Sequence, residues 1–343
     1  MLLQTSLLHE PCAEAFTSPQ VVLDTIDFGI KIKKTPVVVG NCTGFAVNRV
    51  FFPYTQAACM LVDMGGEPYA IDKAITAFGM PMGPFRYAAA LITCRGMSIA
   101  ACVVSLCLPP HGQHHIVILC DAIRHVPPSA CPLPWSASHL QPSLHHPGAL
   151  SLSDLVGADI GLHVGKNFIE SFPDRVYPAR LILLLNEAGR LGEKTGRGFY
   201  VYDAKTRRAK PDPEVGKLVA ESRKGAGLMG DKPPRFSAKD VEEFIFFPVV
   251  NEACRVIEEG IVDKPADLDV ATVMAMGFPP YRGGLICWAD LVGATHIVQR
   301  LEAWEAQFAP HGLGGFFKPC AYLKHAATEG TKLGAGRRSG ARL

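Results

Sequence analysis

The chain has 343 residues, of which 19% are charged and 48% are apolar, and its formal net charge is +2. This composition is that of a globular protein and excludes intrinsic disorder over most of the length. The near-neutral charge offers no basic stripe of the kind that nucleic-acid-binding proteins carry, so no nucleic-acid partner is expected.

The N-terminal residues MLLQTSLLHE lack the basic start and the long apolar run of a secretory signal. Without a sign of export, the eleven cysteines are expected to be reduced thiols. The longest uncharged stretch extends from about Gly96 to Cys120, but Pro109, Pro110 and several histidines interrupt it. No transmembrane segment is therefore predicted.

Helical periodicity predicts three long or well-bounded helices. Apolar residues recur at helical intervals from Asn48 to Met64. A helix is also predicted from Pro68 to Phe78, because proline suits a first helical turn. In the second half, Ser237 and Asp240 have the spacing of a capping box and begin a helix from about Ala238 to Glu259. Its expected core-facing residues are Phe244, Phe247, Val250, Cys254 and Ile257.

The sequence contains an internal repeat. Phe51-Phe52-Pro53 recurs as Phe246-Phe247-Pro248, and the pentapeptide DLVGA begins at Asp154 and again at Asp290. Between these marks, each copy has a Met/Gly/Pro cluster, GMPMGPF in the first and MGFPPYRGG in the second. Self-similarity of this kind indicates a duplicated structural unit. We therefore predict a mainly α-helical protein with two similar helical units and no substantial sheet.

The first copy carries an insertion. From Gly83 to Asp154 is 71 positions, whereas Gly283 to Asp290 is seven, which leaves about 64 extra residues within 87–153. This segment holds five of the eleven cysteines and seven of the twelve histidines, and its second half is rich in proline. Proline-rich sequence of this length favours loop or disorder over a regular helix or strand.

The insertion has two possible interpretations. It could be a zinc module, but no Cys-x-x-Cys pair anchors its potential ligands, so no metal site is predicted. The preferred interpretation is untranslated sequence read in frame, such as a retained intron or a gene-model error. The residues of suitable type are Cys102, Cys107, His111, His114, His115 and Cys120.

Two segments separate the copies. KTGRGFYVYD, from Lys194 to Asp203, is rich in turn residues and ends in alternating aromatics. KTRRAKPDPE, from Lys205 to Glu214, has the composition of an exposed charged linker.

Several motifs together resemble one known family. PVVVGNCTGFAVNR at Pro36–Arg49, PMGPF, KTGRGFY, FPPYRGG and FFKPCAYL resemble the C-terminal domain of 3-hydroxyacyl-CoA dehydrogenases. The resemblance is to the form found in the β-oxidation multifunctional proteins of plant-type peroxisomes, and it covers about Thr17 to Arg86 and Leu155 to Lys332. It implies two tandem repeats of the 6-phosphogluconate-dehydrogenase-like C-terminal helical domain, interrupted by the disordered insertion.

The resemblance also implies a division of the chain. Residues 1–34 would be the end of an otherwise missing NAD-binding domain. The remaining parts would be a first helical domain at 35–203 with the insertion at 87–153, a linker at 204–236, a second helical repeat at 237–332, and a tail at 333–343.

The chemistry implied by the resemblance is oxidation of a 3-hydroxyacyl-CoA to the 3-ketoacyl-CoA, with hydride transfer to NAD. The 3-hydroxyl proton then needs a base, and histidine beside a carboxylate suits this task. In the family this His–Glu pair belongs to the NAD-binding domain, and an asparagine of the helical domain completes the site. Asn48 falls on that asparagine; its alternative role is a hydrogen bond at a helix start. His9 is not favoured as the base.

This chain alone is expected to have no dehydrogenase activity. No G-x-G-x-x-G follows a strand, so the phosphate-binding turn of a dinucleotide fold is absent from the sequence. NAD is thus expected for the intact family enzyme but not for this chain. Expected partners are the acyl-CoA substrate and a second copy or a full-length enzyme, and the alternative function is a non-catalytic dimerisation module.

The last three residues, Ala341-Arg342-Leu343, resemble a peroxisomal address of the Ser-Lys-Leu type. The alternative is an arbitrary basic tail. Together with the β-oxidation resemblance, they predict a peroxisomal location.

Overall fold

The computed structural model describes residues 19–32, 35–85, 104–105, 114–119, 158–192, 195–203, 206, 208–229 and 234–336. The elements before residue 237 are α1 (Pro19–Lys31), β1 (Thr35–Gly40), α2 (Phe45–Asp63), α3 (Pro68–Phe78), β2 (Val104–Ser105), β3 (His114–Leu119), α4 (Ala158–Ser171), α5 (Arg180–Glu187), β4 (Tyr200–Tyr202), β5 (Ala209–Pro211) and α6 (Val215–Ala226). The elements after it are α7 (Ala238–Glu258), α8 (Pro265–Met276), α9 (Leu285–Val292), α10 (Ala294–Phe308), α11 (Gly314–Phe317) and α12 (Ala321–Glu329), with 3-10 turns at Pro280–Arg282, Ala309–His311 and Leu333–Ala335. These residues are mainly α-helical, as predicted. Among them, no helix combines the length and apolar character needed to cross a membrane.

The predicted helix boundaries are close to those observed. Helix α3 has the predicted bounds, and α2 begins three residues earlier than expected, at Phe45. The capping box of α7 is confirmed: the Asp240 N–H donates to Ser237 Oγ at 3.1 Å, and the Ser237 N–H donates to the Asp240 carboxylate at 3.0 Å. The Ser237 hydroxyl also donates to the Asp240 carboxylate, at 2.7 Å, and the hydrogen bonds that this hydroxyl and the Ser237 N–H donate hold the pKa of Asp240 below its ordinary value.

Helices α2 and α7 pack against each other at the centre of the core, and each contains an internal proline, Pro53 and Pro248. The five predicted core residues of α7 are all buried. The expectation of a single core-facing stripe is too narrow, however, because Phe246, outside that stripe, is also fully buried. Phe246 lies 4.6 Å from Phe78 between ring centroids, while Phe244 lies 5.0 Å from Trp304 on another side of the helix.

The two helical units repeat their polar contacts as well as their motifs. After α3, the Phe85 N–H donates to Asp72 Oδ1 at 2.7 Å. After α8, the Ile286 N–H donates to Asp269 Oδ1, also at 2.7 Å. In both units, therefore, one aspartate side chain, buried at Asp72 and partly buried at Asp269, ends the chain reversal that follows the second helix.

A second pair of hydrogen bonds follows the same pattern. The Gln56 amide of α2 donates to the Tyr177 carbonyl at 2.8 Å, and the Asn251 amide of α7 donates to the Lys318 carbonyl at 2.9 Å. In each unit the acceptor carbonyl precedes a proline, Pro178 or Pro319. The sequence repeat thus corresponds to a structural repeat.

Gly83 should not tolerate a larger side chain. A Cβ there would lie 2.2 Å from the Asp72 Cα, so Gly83→Ala is expected to lower the free energy of unfolding by about 1–3 kcal/mol through steric overlap. Gly165 is the matched control, because it lies inside α4 and, among the described residues, only its own helix backbone comes near its Cβ position. Gly165→Ala should raise stability by about 0.4–1 kcal/mol. Urea unfolding followed by circular dichroism would measure the stability of both variants. Equal changes in their free energy of unfolding would contradict the close contact between Gly83 and Asp72.

The structure corrects the expectation that the insertion lacks regular elements. Strand β3 pairs antiparallel with β1, with Thr35 opposite Leu119, and β2 pairs with the other edge of β3. The sequence of β3 is rich in β-branched residues, which favour strands, and it lies before the more proline-rich part of the insertion. The pairing partner is distant in sequence, so periodicity alone did not reveal this three-stranded sheet.

The expected linker at 204–236 is also partly ordered. It contains β5, which pairs with β4, and helix α6. Val215 and Val219, one helical turn apart, are buried on α6, and Ser222 Oγ donates to Asp63 at 2.6 Å. The charged residues of this segment obscured the apolar pair in the sequence. The domain boundaries themselves stay a prediction.

Buried Asp63 should make stability depend on pH. Burial raises the pKa of this carboxyl, although Ser222 and Tyr177 donate hydrogen bonds to it. A carboxyl whose pKa is higher in the folded than in the unfolded protein stabilises the fold in its protonated form. This contribution to stability is fully present below the unfolded pKa of about 3.9, and it is lost as pH rises through the folded pKa. We expect the stability of the wild type relative to Asp63→Asn to increase as pH falls from 7.5 to 4 in urea unfolding. A difference that is constant or grows with pH would contradict this assignment.

Candidate functional site

A turn with unusual backbone geometry joins β1 to α2. Gly44 and Phe45 both have positive φ, 78° and 55°. A Cβ at Gly44 would lie 2.5 Å from the Cζ of Phe168 on α4, so this position needs glycine for contact as well as for conformation. A left-handed conformation at a bulky residue costs roughly 1–2 kcal/mol. Contacts with other elements must therefore hold this turn.

Asn48, the predicted site residue, lies in the first turn of α2 and is exposed. In the part of the chain that the structure describes, no hydrogen bond joins its side-chain amide to another residue. The alternative role of Asn48, a hydrogen bond at the helix start, is thus not observed there. Its amide remains accessible to a group outside these residues.

Arg49, the next residue, is buried, at 2% exposure. Its Nη1 and Nη2 each donate to one oxygen of Glu259 at 2.6 Å, and its Nε donates to Glu252 at 2.6 Å. The guanidinium also lies 4.7 Å from the ring centroid of Phe172. Bidentate charge-assisted bonds of this type are strong and directional. They join α2 of the first unit to α7 of the second.

Glu252 is shared by several cations. Arg175 Nε lies 3.1 Å and Arg255 Nε 3.4 Å from its carboxylate, in addition to Arg49. Partial burial alone would raise the pKa of Glu259, but the hydrogen bonds and charge of Arg49 hold that pKa below its ordinary value. Burial would lower the pKa of Arg49, but its carboxylate partners raise it. Arg49 and Glu259 are therefore both ionised at neutral pH.

This ion cluster is not predictable from the sequence alone. Glu252 and Arg255 are three residues apart on a predicted helix, which allows a local pair. Arg49 and Glu252, by contrast, are 203 residues apart. The one available signal was an arginine inside an otherwise apolar helical run, which needs a buried partner but does not identify it.

The other end of the turn is also held by the second unit. The Gly40 N–H donates to the Ile261 carbonyl at 2.6 Å, just beyond α7. Within the first unit, the Thr43 and Ser171 hydroxyls are 3.0 Å apart. Residues 40–49 are thus fixed by α4 and by the C-terminal end of α7.

A shallow cleft lies between α2 and α4 beside this turn. Phe52, one helical turn after Asn48, stacks on Phe168 with ring centroids 3.9 Å apart. The cleft is open to solvent, and the volume that it encloses is about 10 Å³. Its lining residues include Arg49, Phe52, Gln56, Phe168, Phe172 and Arg175. The exposed amide of Asn48 therefore lies close along the helix to an aromatic surface.

The profile of the 3-hydroxyacyl-CoA dehydrogenase C-terminal domain family matches residues 44–100, 143–202 and 243–341. The chain belongs to this family. Members of the family are NAD-dependent oxidoreductases. The break in the match between 100 and 143 falls within the insertion and includes β2 and β3.

Similar proteins include multifunctional β-oxidation proteins of plants. The glyoxysomal fatty acid beta-oxidation multifunctional protein MFP-a of Cucumis sativus is 44% identical over 93% of this chain and 34% of its own length. The peroxisomal protein MFP2 of Arabidopsis thaliana has the same identity and coverage. The chain thus spans about a third of the length of these relatives.

Two solved structures share the fold. The dehydrogenase part of multifunctional enzyme 1 from C. elegans aligns with a TM-score of 0.52 and 23% identity, over 90% of this chain and 54% of that chain. The 3-hydroxybutyryl-CoA dehydrogenase of Escherichia coli aligns with a TM-score of 0.55 and 18% identity, over 91% and 66%. At these identities the likeness concerns the fold.

The residues of the β1–α2 turn do not fit a dinucleotide. This turn leads from a strand into a helix and contains Gly40 and Gly44, but it lacks the G-x-G-x-x-G pattern. The missing side chain at Gly44 makes room for the Phe168 ring rather than for a phosphate. The β1–α2 turn of this chain therefore does not have the form of a dinucleotide-binding turn.

Several predicted features lie outside the described residues. These are Ala341-Arg342-Leu343, His9 and four of the six potential zinc ligands of the insertion; the other two, His114 and His115, belong to β3. Within the described ranges, no group of three or more His, Cys, Asp or Glu residues is placed to bind a metal ion.

Proposed function

We propose that this chain is the C-terminal, substrate-facing part of an NAD-dependent 3-hydroxyacyl-CoA dehydrogenase of fatty acid β-oxidation, and that it is inactive alone. The observation that carries the proposal is the accessible amide of Asn48 on a turn fixed by two helical units. The family match and the names of the plant relatives supply the substrate class.

The amide of Asn48 suits an orienting role. Its Nδ2 can donate a hydrogen bond and its Oδ1 can accept one, so it can hold the 3-oxygen of the substrate or an imidazole. Phe52, on the same helix and one turn further on, offers apolar contact to an acyl group. The proton acceptor and the nicotinamide site belong to the part of the enzyme that faces this surface.

Helix α1 supports the presence of such a facing part. Leu23 and Ile30 are 57% and 59% exposed, although β1 packs against another side of this helix. Phe28 and Ile32 are also exposed. A helix that is apolar on several sides is normally buried on several sides. We assign residues 1–34 to the end of an NAD-binding domain whose other elements would cover these side chains.

NADH formation tests the proposal. Purified chain with 3-hydroxybutyryl-CoA and NAD should give no absorbance change at 340 nm above a blank. The chain joined in frame to the N-terminal two-thirds of the Cucumis sativus relative should be active. In that fusion, Asn48→Ala should lower kcat by about 10²-fold, since loss of one positioned donor has this effect. Asn167→Ala, at an exposed site on α4, is the matched control.

Two results would reject the proposal. Activity of the unfused chain would show that it has its own nicotinamide site. Equal activities of the Asn48→Ala and Asn167→Ala fusions would remove Asn48 from the site.

A second candidate function is a non-catalytic dimerisation module, and exposed apolar residues of the second unit favour it. Tyr281 is 74% and Leu291 79% exposed. Exposed apolar side chains of this size are common at subunit interfaces. Light scattering on the purified chain should then give a dimer, and Leu291→Glu should reduce its mass to that of a monomer. A monomer in both cases would exclude this role.

The proposed location is the peroxisome. It is supported by the glyoxysomal and peroxisomal names of the plant relatives and by Ala341-Arg342-Leu343. A fluorescent protein that ends in the last ten residues should collect in peroxisomes, and the same fusion without the final three residues should not. Cytosolic fluorescence of both would contradict this location.

A further inference from the structure

We infer that Arg49 is a positioning residue for Asn48, and that it acts through Glu252 and Glu259 of the second helical unit. The inference rests on the proposed function of Asn48. It assigns the second unit a task beyond filling the core, since the two carboxylates that hold Arg49 are 203 and 210 residues away from it in sequence.

The contacts of Gly40 and Arg49 with Glu252, Glu259 and Ile261, here called the clamp, hold both ends of the turn that presents Asn48. At one end, the Gly40 N–H donates to the Ile261 carbonyl at 2.6 Å. At the other, Arg49 makes its two-pronged contact with Glu259. Glu259 and Ile261 are only two residues apart. One short segment at the end of α7 therefore fixes the spacing between the two ends of the turn.

The turn needs such support because its backbone is strained. Phe45, with a φ of 55°, begins α2 in a conformation that bulky residues avoid. Strain of this kind persists only where the surroundings enforce it. If the clamp were weakened, the first turn of α2 could relax and rotate the amide of Asn48. Misplacement of a reacting group by about 1 Å can cost about 10²-fold in rate.

The second unit shows that the fold alone does not require an arginine here. Aligning Phe51-Phe52-Pro53 with Phe246-Phe247-Pro248 places Asn48 and Arg49 opposite Glu243 and Phe244. Phe244 fills its position by packing against Trp304 and Phe317, with ring centroids 5.0 and 5.1 Å away. An aromatic side chain can thus fill the equivalent position of the helical unit by packing alone. The arginine occurs in the unit that presents the exposed asparagine.

Hydrogen exchange in the full chain tests the clamp directly. Arg49→Lys keeps the positive charge but loses the forked guanidinium that binds Glu259 through two nitrogens. Glu259→Gln removes one negative charge, and because this side chain is 45% exposed the fold should stay intact. Both should accelerate amide exchange in residues 41–49 by about tenfold, as expected for loss of a charge-assisted hydrogen bond. Arg190→Lys is the matched control, because Arg190 forms an equally buried pair with Asp212.

A double-mutant cycle then tests whether Arg49 acts through Asn48. Binding of acetoacetyl-CoA to the full chain, measured by calorimetry, should weaken about tenfold in Arg49→Lys and in Asn48→Ala. The double variant should bind no more weakly than Asn48→Ala alone, since a residue that works through another adds nothing once that other is removed. A purely structural role would give additive losses.

The possible outcomes are distinct. Unchanged exchange at 41–49 in both clamp variants, or equal acceleration in Arg190→Lys, would overturn the inference, as would additive binding losses. If the unmodified chain did not bind acetoacetyl-CoA at all, the proposed function of Asn48 would fail. The exchange data would still decide whether Arg49 holds the turn.

Discussion

Replacing Phe246 with alanine is expected to lower the free energy of unfolding by about 3–5 kcal/mol, the range for a large aromatic removed from a core. Phe246 is fully buried on α7. Its ring contacts Phe78 of the first unit at 4.6 Å, and Phe278 and Trp288 of the second at 5.6 and 5.7 Å between centroids. Because the lost contacts belong to both units, urea unfolding should remain a single transition with a lower midpoint.

The control for this substitution is Phe28→Ala on α1, where the side chain is 53% exposed. It removes the same atoms from a site with little burial and should change stability by less than about 0.5 kcal/mol. Two separate unfolding transitions in Phe246→Ala would indicate that the two helical units fold independently. A loss equal to that of Phe28→Ala would contradict the observed packing of α7.

The second large effect is expected for Glu252→Gln, at about 3–5 kcal/mol, because removal of one partner leaves buried charges uncompensated. Glu252 is 6% exposed and accepts from Arg49 at 2.6 Å and Arg175 at 3.1 Å. Glutamine keeps the shape of the side chain but not the charge that these guanidiniums need. Thermal and urea unfolding of the full chain would measure the loss.

Glu221→Gln is the matched control for this charge removal. Glu221 pairs with Arg180 at 3.8 Å, and the two side chains are 56% and 50% exposed, respectively. A solvent-exposed pair contributes about 0–1 kcal/mol, so this variant should be nearly neutral. Equal losses in the two variants would indicate that the Glu252 cluster is not buried in solution.

The sequence predicted those elements whose signals are local. The capping pattern at Ser237 and Asp240 located the start of α7, and proline at Pro68 located the start of α3. The repeated FFP motif revealed the duplication because identical residues recur in the same order. Each of these signals lies within a few residues of the structure that it predicts.

Other features depended on partners far away in the chain. Strand β1 pairs with β3 about 80 residues later, and α6 lies in a segment whose charges indicated a linker. In both cases the stabilising contact joins distant segments, so neither periodicity nor composition identified it. The ion cluster around Glu252 was missed for the same reason.

By itself, the sequence determined the helical class, the two tandem units, the family resemblance and Asn48 as the candidate site residue. Only the tertiary structure decided that Asn48 is exposed and that its neighbour Arg49 is buried against Glu252 and Glu259. The reason is that helix periodicity and motifs are properties of neighbouring residues. Which buried charge meets which carboxylate depends on how the two units pack against each other.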